Sequence, residues 1–232
     1  MLMLIFDFVQ KVRTTMKYPH SIPLCYTNGE PFPGGNPSRV VLSSVGTKWN
    51  DVVVEQHHFP SSKLADVMYK RHAICINIGY SFTWEFEKDG RFQRVQRARG
   101  AISFFPSHQP FSGRLTPERG VFANFLLLAL NPVFVSRVAK GLEFDADRIE
   151  LTEQRGITDP ALRHIALALR AGIQTGDALD RMYGEALSTA LAVHLLREYG
   201  AAVLRPKRRH FKRVFGLPPK RLLNRRRPVI VA

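Results

Sequence analysis

The chain has 232 residues, of which 45% are apolar, with 34 Lys and Arg against 19 Asp and Glu. This length and apolar content are enough for a sizeable core, which excludes a disordered or fibrous protein. No uncharged apolar run approaches the roughly 20 residues that cross a bilayer, so no membrane span is predicted. Residues 1–13 are apolar but include Asp7 and have no basic residue in front, so no secretory signal is predicted.

Residues 1–48 contain a stretch rich in Pro, Gly and Ser without helical or strand periodicity. This composition is typical of irregular structure, so the range is predicted to be an irregular lead-in. The two cysteines, Cys25 and Cys75, stand in no disulfide framework or metal-binding pattern. Because no disulfide framework is present, a reducing cytoplasm is the expected location.

Short apolar runs separated by turn residues fill residues 49–132, a pattern typical of an antiparallel sandwich or barrel. Strands are predicted at 51–59, 73–80, 82–87, 92–97, 101–105, 110–115 and 121–130. The pair Asp89-Gly90 predicts a tight hairpin between two of them. The last run, VFANFLLLAL, is almost entirely apolar and is expected in the middle of a sheet or against helices.

Helical patterns begin after residue 132. A short helix is predicted over 133–138, followed by an acidic connector over 141–154. The pair Asp159-Pro160 is a helix-start signal, because Asp accepts first-turn N–H bonds and Pro suits the first helical position. Apolar residues then recur every three or four positions to residue 200, which predicts an α-helical hairpin. The fold class is therefore α+β.

The second hairpin helix mixes small and large apolar residues. Small alanines beside leucine allow close helix approach, so this helix is interpreted as a pairing surface for a second copy of the chain. The alternative is a hairpin that only packs on its own core. The candidate dimerisation residues are Leu179, Met182, Ala186, Leu187 and Ala190.

The sequence contains few residues in patterns that would support catalysis. The adjacent pair His57-His58 cannot bind one metal ion from a strand, because neighbouring side chains point to opposite faces. No nucleophile motif or phosphate-binding glycine loop is present. No enzyme activity, metal or cofactor is therefore predicted.

A small-molecule pocket is the function that the β region suggests. Large aromatic residues occur on several predicted strands, and ligand pockets are mostly apolar with a few polar groups. The alternative is that these aromatics only fill a core. The candidate ligand-binding residues are His57, Arg71, Trp84, Phe104 and His108.

Positive charge is concentrated at the end of the sequence. Residues 201–232 hold 11 of the 34 basic residues and no acidic residue, which leaves 23 basic and 19 acidic residues before them. Such a tail can bind phosphate backbones through counterion release, although a solvated end is the alternative. The candidate nucleic-acid-binding residues are Arg208, Arg209, Lys212, Arg213, Lys220 and Arg221.

Three stretches together resemble the AraC family of bacterial transcription regulators: GAISFFPSHQPFSGRL at 100–115, DPALRH at 159–164 and the run from 183 to 199. The resemblance covers roughly residues 49–200. It implies a cupin-like sensor barrel that binds a small effector, a helical pair that forms dimers, and DNA as a partner. It also implies two helix-turn-helix units of about 100 residues after the hairpin.

The tail departs from that family, because 32 residues cannot hold two helix-turn-helix units. One interpretation, which we favour, matches GLPPKRLLNR at 216–225 to the linker and first helix of the DNA-binding part. The other matches Phe211, Phe215, Gly216, Pro219 and Arg225 to the closing pattern of the family, with residues missing between. Under either interpretation of the tail, most of the DNA-binding part is expected to be missing.

The sequence therefore predicts a cupin-like β-barrel or sandwich followed by an α-helical hairpin and a basic tail. The ranges are 1–48 for the lead-in, 49–132 for the effector-binding domain, 133–200 for the helical linker and dimerisation hairpin, and 201–232 for the tail. The predicted function is ligand sensing and dimerisation in an AraC-like regulator, as a homodimer or with an intact relative. The alternatives are a cupin-type metal-dependent isomerase or dioxygenase and a general nucleic-acid-binding protein.

Overall fold

The computed structural model describes residues 22–32, 37–47, 49–88, 91–120, 122–142, 150–175 and 180–200. The candidate residue Leu179 and all candidate residues of the basic tail lie outside these ranges. None of the helices in the described ranges is both long and apolar enough to cross a membrane.

Eleven strands and three helices make up the described part of the chain. The strands are β1 Leu24–Tyr26, β2 Arg39–Ser43, β3 Val52–Phe59, β4 Ser62–Tyr69, β5 His72–Asn77, β6 Phe82–Lys88, β7 Arg91–Arg97, β8 Ile102–Phe105, β9 Phe111–Pro117, β10 Ala123–Leu130 and β11 Gln154–Ile157. The helices are α1 Pro132–Gly141, α2 Pro160–Thr175 and α3 Asp180–Tyr199.

The strands form two antiparallel sheets. Sheet A has five strands in the order β1-β4-β9-β6-β7, and sheet B has six in the order β11-β8-β5-β10-β3-β2. One apolar cluster joins the facing surfaces of the two sheets, and a second joins the outer surface of sheet B to the helices. The fold is therefore an antiparallel sandwich of two sheets with helices on one side, which confirms the predicted α+β class.

Strand β10 lies in the middle of sheet B, between β3 and β5. Its side chains alternate between the two clusters: Leu126 and Leu128 pack toward the helices, whereas Phe125 and Leu127 face sheet A. Both faces of this strand are buried, which explains why its sequence is apolar throughout. The predicted central position is confirmed.

A side chain caps the start of both α1 and α2, and the cap at Asp159 was predicted. The side chain of Asn131 accepts a 3.0 Å hydrogen bond from the backbone N–H of Val133 at the start of α1. Asp159 likewise accepts a 2.9 Å bond from the N–H of Leu162 at the start of α2. These bonds satisfy donors that a helix leaves free at its first turn.

The hairpin of α2 and α3 packs on sheet B partly through Trp49, which is 8% exposed. The indole lies against Gly184 of α3, where a Cβ atom would be 2.3 Å from Trp49 Cδ1. Gly172 of α2 lies on the same ring, with a Cβ position 3.3 Å from Cζ2. Two glycines thus let the ring enter between the helices.

Four strands were not expected from the sequence. Strands β1 and β2 lie within the range predicted as irregular, so that expectation is wrong for these residues. Strand β4 lies between two predicted strands, and β11 begins at the last residue of the predicted connector and continues beyond it. All four are short or polar on one face, and their pairing with distant strands stabilises them.

Candidate ligand-binding site

A cavity of about 60 Å3 lies between the two sheets. Its wall is mostly apolar and aromatic, and it carries two arginines. The lining residues are Phe59, Leu64, Tyr69, Cys75, Phe82, Trp84, Arg97, Ala101, Ser103, Phe105, Phe111, Leu115, Phe125, Leu127 and Arg155.

One side of the cavity is a row of residues that are paired across sheet B. Arg155 of β11 pairs with Ser103 of β8, Ser103 with Cys75 of β5, and Cys75 with Leu127 of β10. Paired residues on neighbouring strands point to the same face of a sheet. The register of sheet B therefore places Arg155 at one end of an otherwise uncharged row.

Arg155 is held in place by one carboxylate and two aromatic rings. Its Nε and Nη2 lie 2.6 Å and 2.5 Å from Oε1 of Glu153. The guanidinium carbon lies 5.5 Å from the centroid of Phe86 and 5.6 Å from that of Phe105. Its Nη1 is buried and has no hydrogen-bond partner among the described groups. A buried donor without a partner costs roughly 1–3 kcal/mol.

Arg97 is the second cation at the cavity. It ends β7 opposite Phe82, so it faces the interior as Phe82 does. Burial, and secondly the positive charge of Arg155, lowers the pKa of Arg97 below its ordinary value. Within the described ranges no carboxylate forms an ion pair with Arg97, so two guanidinium groups share one side of the cavity.

Gly156 makes room for Arg97. Its backbone has a φ of +67°, and an added Cβ would lie 1.8 Å from Nη1 of Arg97. The pairing of β11 with β8 also shifts register at this point. A residue with a side chain could neither adopt this backbone easily nor leave space for the guanidinium.

A surface groove of about 350 Å3 shares Arg97 and Ala101 with the cavity. The groove also borders the start of α2, through Asp159 and Pro160. Asn77 organises the loop at this point, because its side-chain amide donates to the carbonyl of Arg97 at 3.2 Å. The charged end of the cavity therefore lies next to the surface and to the hairpin.

The other titratable groups of the cavity wall are neutral. Burial raises the pKa of the Cys75 thiol to about 12. Burial, and secondly the charge of Cys75, also raises the pKa of Tyr69. A thiol with so high a pKa is a weak nucleophile, so Cys75 contributes shape and not reactivity.

Strand β11 connects the cavity wall to the hairpin. Arg155 lies on this strand, and Asp159, the cap of α2, follows four residues later. Asp159 Oδ2 lies 2.7 Å from Nε2 of His194 in α3 and accepts a further bond from the hydroxyl of Tyr199. The ring of Tyr199 stacks on Phe104 at a centroid distance of 5.9 Å.

Only one of the predicted ligand-binding residues, Trp84, lines the cavity. Phe104 belongs to the outer face of sheet B and packs toward the helices, whereas its neighbour Phe105 faces the cavity. Arg71 lies in the turn between β4 and β5, and His108 lies exposed in the turn after β8. Neither belongs to the cavity wall.

His57 is fully buried on the inner face of sheet B, away from the cavity wall. Its Nδ1 lies 2.7 Å from the hydroxyl of Ser38, and its Nε2 lies 3.0 Å from Glu55 Oε2. Its neighbour His58 is half-buried and stacks on Phe122 at 5.5 Å. The prediction that the two histidines point to opposite faces is confirmed. No group of three His, Cys, Asp or Glu within the described ranges could hold a metal ion.

The predicted dimerisation residues lie partly at the surface of α3. Met182 is 70% exposed, and Ala186 and Ala190 are exposed one and two turns further on. Leu187 is half-buried against the cluster beneath the helices. The pairing function of this helix stays a prediction.

Arg97 and Arg155 were not identified from the sequence as site residues. They lie 58 positions apart, and only the pairing of β11 with β8 brings Arg155 to the cavity. The one local sign is the glycine after Arg155, which is consistent with an irregular strand. That sign is too weak to indicate a ligand site.

No protein family matches the chain, and no curated protein sequence is similar to it. Solved structures that resemble it include a single-residue variant of ToxT, an AraC-family regulator of Vibrio cholerae, with 10% identity and a TM-score of 0.44 over 64% of this chain and 55% of that one. Oxalate decarboxylase of Bacillus subtilis has 17% identity and a TM-score of 0.32, over 49% of this chain and 30% of that one. EutQ of Clostridium difficile has 12% identity and a TM-score of 0.29, over 40% of this chain and 66% of that one.

These comparisons correct one prediction. The sequence led us to exclude enzymes, but oxalate decarboxylase is an enzyme and is among the structures that the fold resembles. The prediction that the chain is not an enzyme is therefore wrong as an exclusion. The chain spans less than two thirds of each of these three proteins, and with TM-scores below 0.5 the likenesses do not decide between regulators and enzymes.

Proposed function

We propose that this chain is the ligand-sensing and dimerisation part of an AraC-like transcription regulator. The observation that carries the proposal is that β11 both lines the cavity, through Arg155, and leads within four residues to Asp159, the cap of α2. A ligand that contacts Arg155 therefore acts beside the hairpin. It can shift the hairpin between two arrangements if it binds one of them more tightly.

A second contact supports the same coupling. In β8, Phe105 faces the cavity while Phe104 packs on Tyr199 at the end of α3. A ligand that displaces β8 would therefore also displace Tyr199, in the last turn of α3. Two neighbouring strands of the cavity wall, β8 and β11, are each joined to a different part of the helix pair.

The partner that we propose for α3 is a second copy of the chain. Met182, Ala186 and Ala190 follow one another at intervals of four residues and are exposed. Residues at this spacing lie on one face of a helix, and small side chains permit close helix approach. In the proposed regulator, the dimer presents the basic tails of both copies, including Arg208, Arg209, Lys212, Arg213, Lys220 and Arg221, to DNA.

Sedimentation equilibrium of the full chain tests this proposal. The unmodified chain should be a dimer, and Ala186→Glu should weaken dimerisation at least tenfold because it places charges opposite each other in the interface. Val133→Glu is the matched control, since Val133 is 71% exposed on α1, outside the proposed surface. A monomeric unmodified chain, or equal effects of the two substitutions, would contradict the proposal.

Metal analysis addresses a different class of function. Purified protein that retains one iron, manganese or zinc ion per chain would favour a cupin-type isomerase or dioxygenase over the regulator. Among the described residues, no cluster of three or more His, Cys, Asp or Glu could hold such an ion. We therefore expect no stoichiometric metal.

A further inference from the structure

The charges at the cavity do not balance. Arg97 and Arg155 both line it, while the only carboxylate within ion-pairing distance of either, among the described residues, is that of Glu153 on Arg155. Glu55 lies in the same row of sheet B as Arg155, but it is four strands away, about 19 Å at the usual strand spacing. The cavity end therefore carries a net single positive charge.

One donor at this end is unused. Nη1 of Arg155 is buried without a hydrogen-bond partner, although Nε and Nη2 of the same guanidinium are engaged by Glu153. The rings of Phe86 and Phe105 pack on this group and bury it further. A buried cationic donor of this kind is normally satisfied by an anion or a polar group.

The rest of the cavity favours a hydrocarbon. Trp84, Leu115, Phe125 and Leu127 line it, and the thiol of Cys75 stays protonated beside them. The volume of about 60 Å3 leaves room for roughly four to six non-hydrogen atoms, at about 10–15 Å3 for each water-sized group. The wall therefore fits a short apolar body next to a single charged end.

We propose that the cavity binds a small apolar monocarboxylate, whose carboxylate lies between Arg97 and Arg155 and whose hydrocarbon part contacts Trp84 and Leu127. This inference rests on the proposed sensing function and names the chemical class of the effector. A monocarboxylate matches the net single charge of the site. A phosphate ester carries more negative charge at neutral pH than the cavity end compensates, and a neutral ligand leaves the second cation uncompensated.

In the proposed position, the carboxylate lies beside the segment that leads into the hairpin. Arg97 packs against Gly156, and the segment after Gly156 leads into Asp159 and α2. Drawing Arg97 and Arg155 toward one anion would pull on β7 and β11 together. The ligand charge, and not only its size, therefore acts on the strand that enters the hairpin.

Calorimetric titration of the full chain with butyrate, and with the neutral isostere butyramide, tests the inference. Butyrate should bind, and butyramide should bind at least tenfold more weakly. Arg155→Gln and Arg97→Gln should each weaken butyrate binding at least tenfold. Arg91→Gln is the matched control, because Arg91 is exposed at the opposite end of β7 and should leave binding unchanged.

The outcomes separate the ligand class from the sensing function. Equal affinity for butyrate and butyramide, or a fall in butyrate affinity with Arg91→Gln as large as with Arg155→Gln, would overturn the carboxylate assignment. If butyrate and propionate both fail to bind while a neutral apolar compound binds and changes dimerisation, the assignment fails but the sensor stands. If neither charged nor neutral compounds bind, both the assignment and the sensing function fail.

Discussion

Nε2 of His194 lies 2.7 Å from Oδ2 of Asp159 and thereby ties the end of α3 to the start of α2. The hydroxyl of Tyr199 donates to the same oxygen, and the N–H of Leu162 donates to Oδ1. Burial raises the pKa of Asp159, but these hydrogen bonds outweigh burial and leave it below its ordinary value. A single carboxylate thus closes the hairpin beside the strand that lines the cavity.

Replacing Asp159 by alanine is expected to lower the free energy of unfolding by roughly 2–3 kcal/mol. The loss of the helix cap costs about 0.5–2 kcal/mol, and each lost hydrogen bond adds about 0.5–1.5 kcal/mol. Urea denaturation at neutral pH measures this change. Because the folded pKa is lowered, the stabilisation is present above the unfolded pKa of about 3.9 and is lost as the pH falls through the folded pKa.

Asp51→Ala is the matched control for that substitution. Asp51 forms an ion pair at 3.0 Å with Arg137, whose side chain is 67% exposed. Exposed pairs of this kind contribute about 0–1 kcal/mol, so the control should change stability little. Equal losses for the two aspartates would contradict the role given to Asp159.

His72 should make the fold sensitive to mild acid. Its Nδ1 accepts a 3.0 Å hydrogen bond from the N–H of Ser107, which requires the neutral ring. Burial, and secondly the charge of His108, lowers the pKa of His72 to about 4. This stabilisation is present above the unfolded pKa of about 6.5 and is lost as the pH falls toward 4, by roughly 3 kcal/mol in total.

Denaturation curves between pH 7 and pH 4 check this expectation. His72→Gln should show a correspondingly smaller loss of stability over that range than the unmodified chain. His164→Gln is the control, because His164 is exposed on α2 and should keep the original pH dependence. Parallel pH profiles for the unmodified chain and the His72 variant would refute the assignment.

Gly184→Ala should destabilise the protein although alanine is the better helix former. The added Cβ would lie 2.3 Å from Trp49, so the indole or the helix must move. Overpacking costs about 1–3 kcal/mol, and the gain in helix propensity is about 1 kcal/mol, so we expect a net loss of about 1 kcal/mol. Thermal unfolding of the variant and the unmodified chain measures this loss of stability.

Gly141→Ala is the control for Gly184→Ala. It makes the same change in helix propensity at the end of α1, but nothing lies within 4 Å of the added Cβ. This variant should be as stable as the unmodified chain or slightly more stable. A stabilising Gly184→Ala would show that the helices can separate from Trp49 without cost.

Neutralising the tail should weaken binding to duplex DNA and reduce its dependence on salt. Changing Arg208, Arg209, Lys212 and Arg213 to glutamine removes up to four phosphate contacts, and each contact contributes about 0.9 to the slope of log affinity against log salt. Fluorescence anisotropy at several salt concentrations measures the slope. Neutralising four exposed basic residues of the body, Lys63, Arg91, Arg114 and Arg119, should have a smaller effect. An unchanged slope in the tail variant would contradict the prediction.

Local chemistry determined much of this fold. The strand at 82–87, the apolar run of β10 and the Asp159-Pro160 cap each follow from short-range patterns, and each of these elements is present as predicted. Trp84 was likewise identified as a pocket residue because large apolar side chains on strands face a core. Such features can be predicted because neighbouring residues alone specify them.

Tertiary structure decided the composition of the cavity wall. Phe104 and Phe105 are adjacent in sequence, yet the twofold repeat of a strand turns one toward the hairpin and the other toward the cavity. Arg155 reaches the cavity only because β11 pairs with β8, and Arg97 fits only because Gly156 leaves space. The sequence by itself determined seven of the eleven strands and the capped helix α2. The packing of distant strands decided the other four strands and which charges meet, because strand pairing depends on the two whole sheets and not on local sequence.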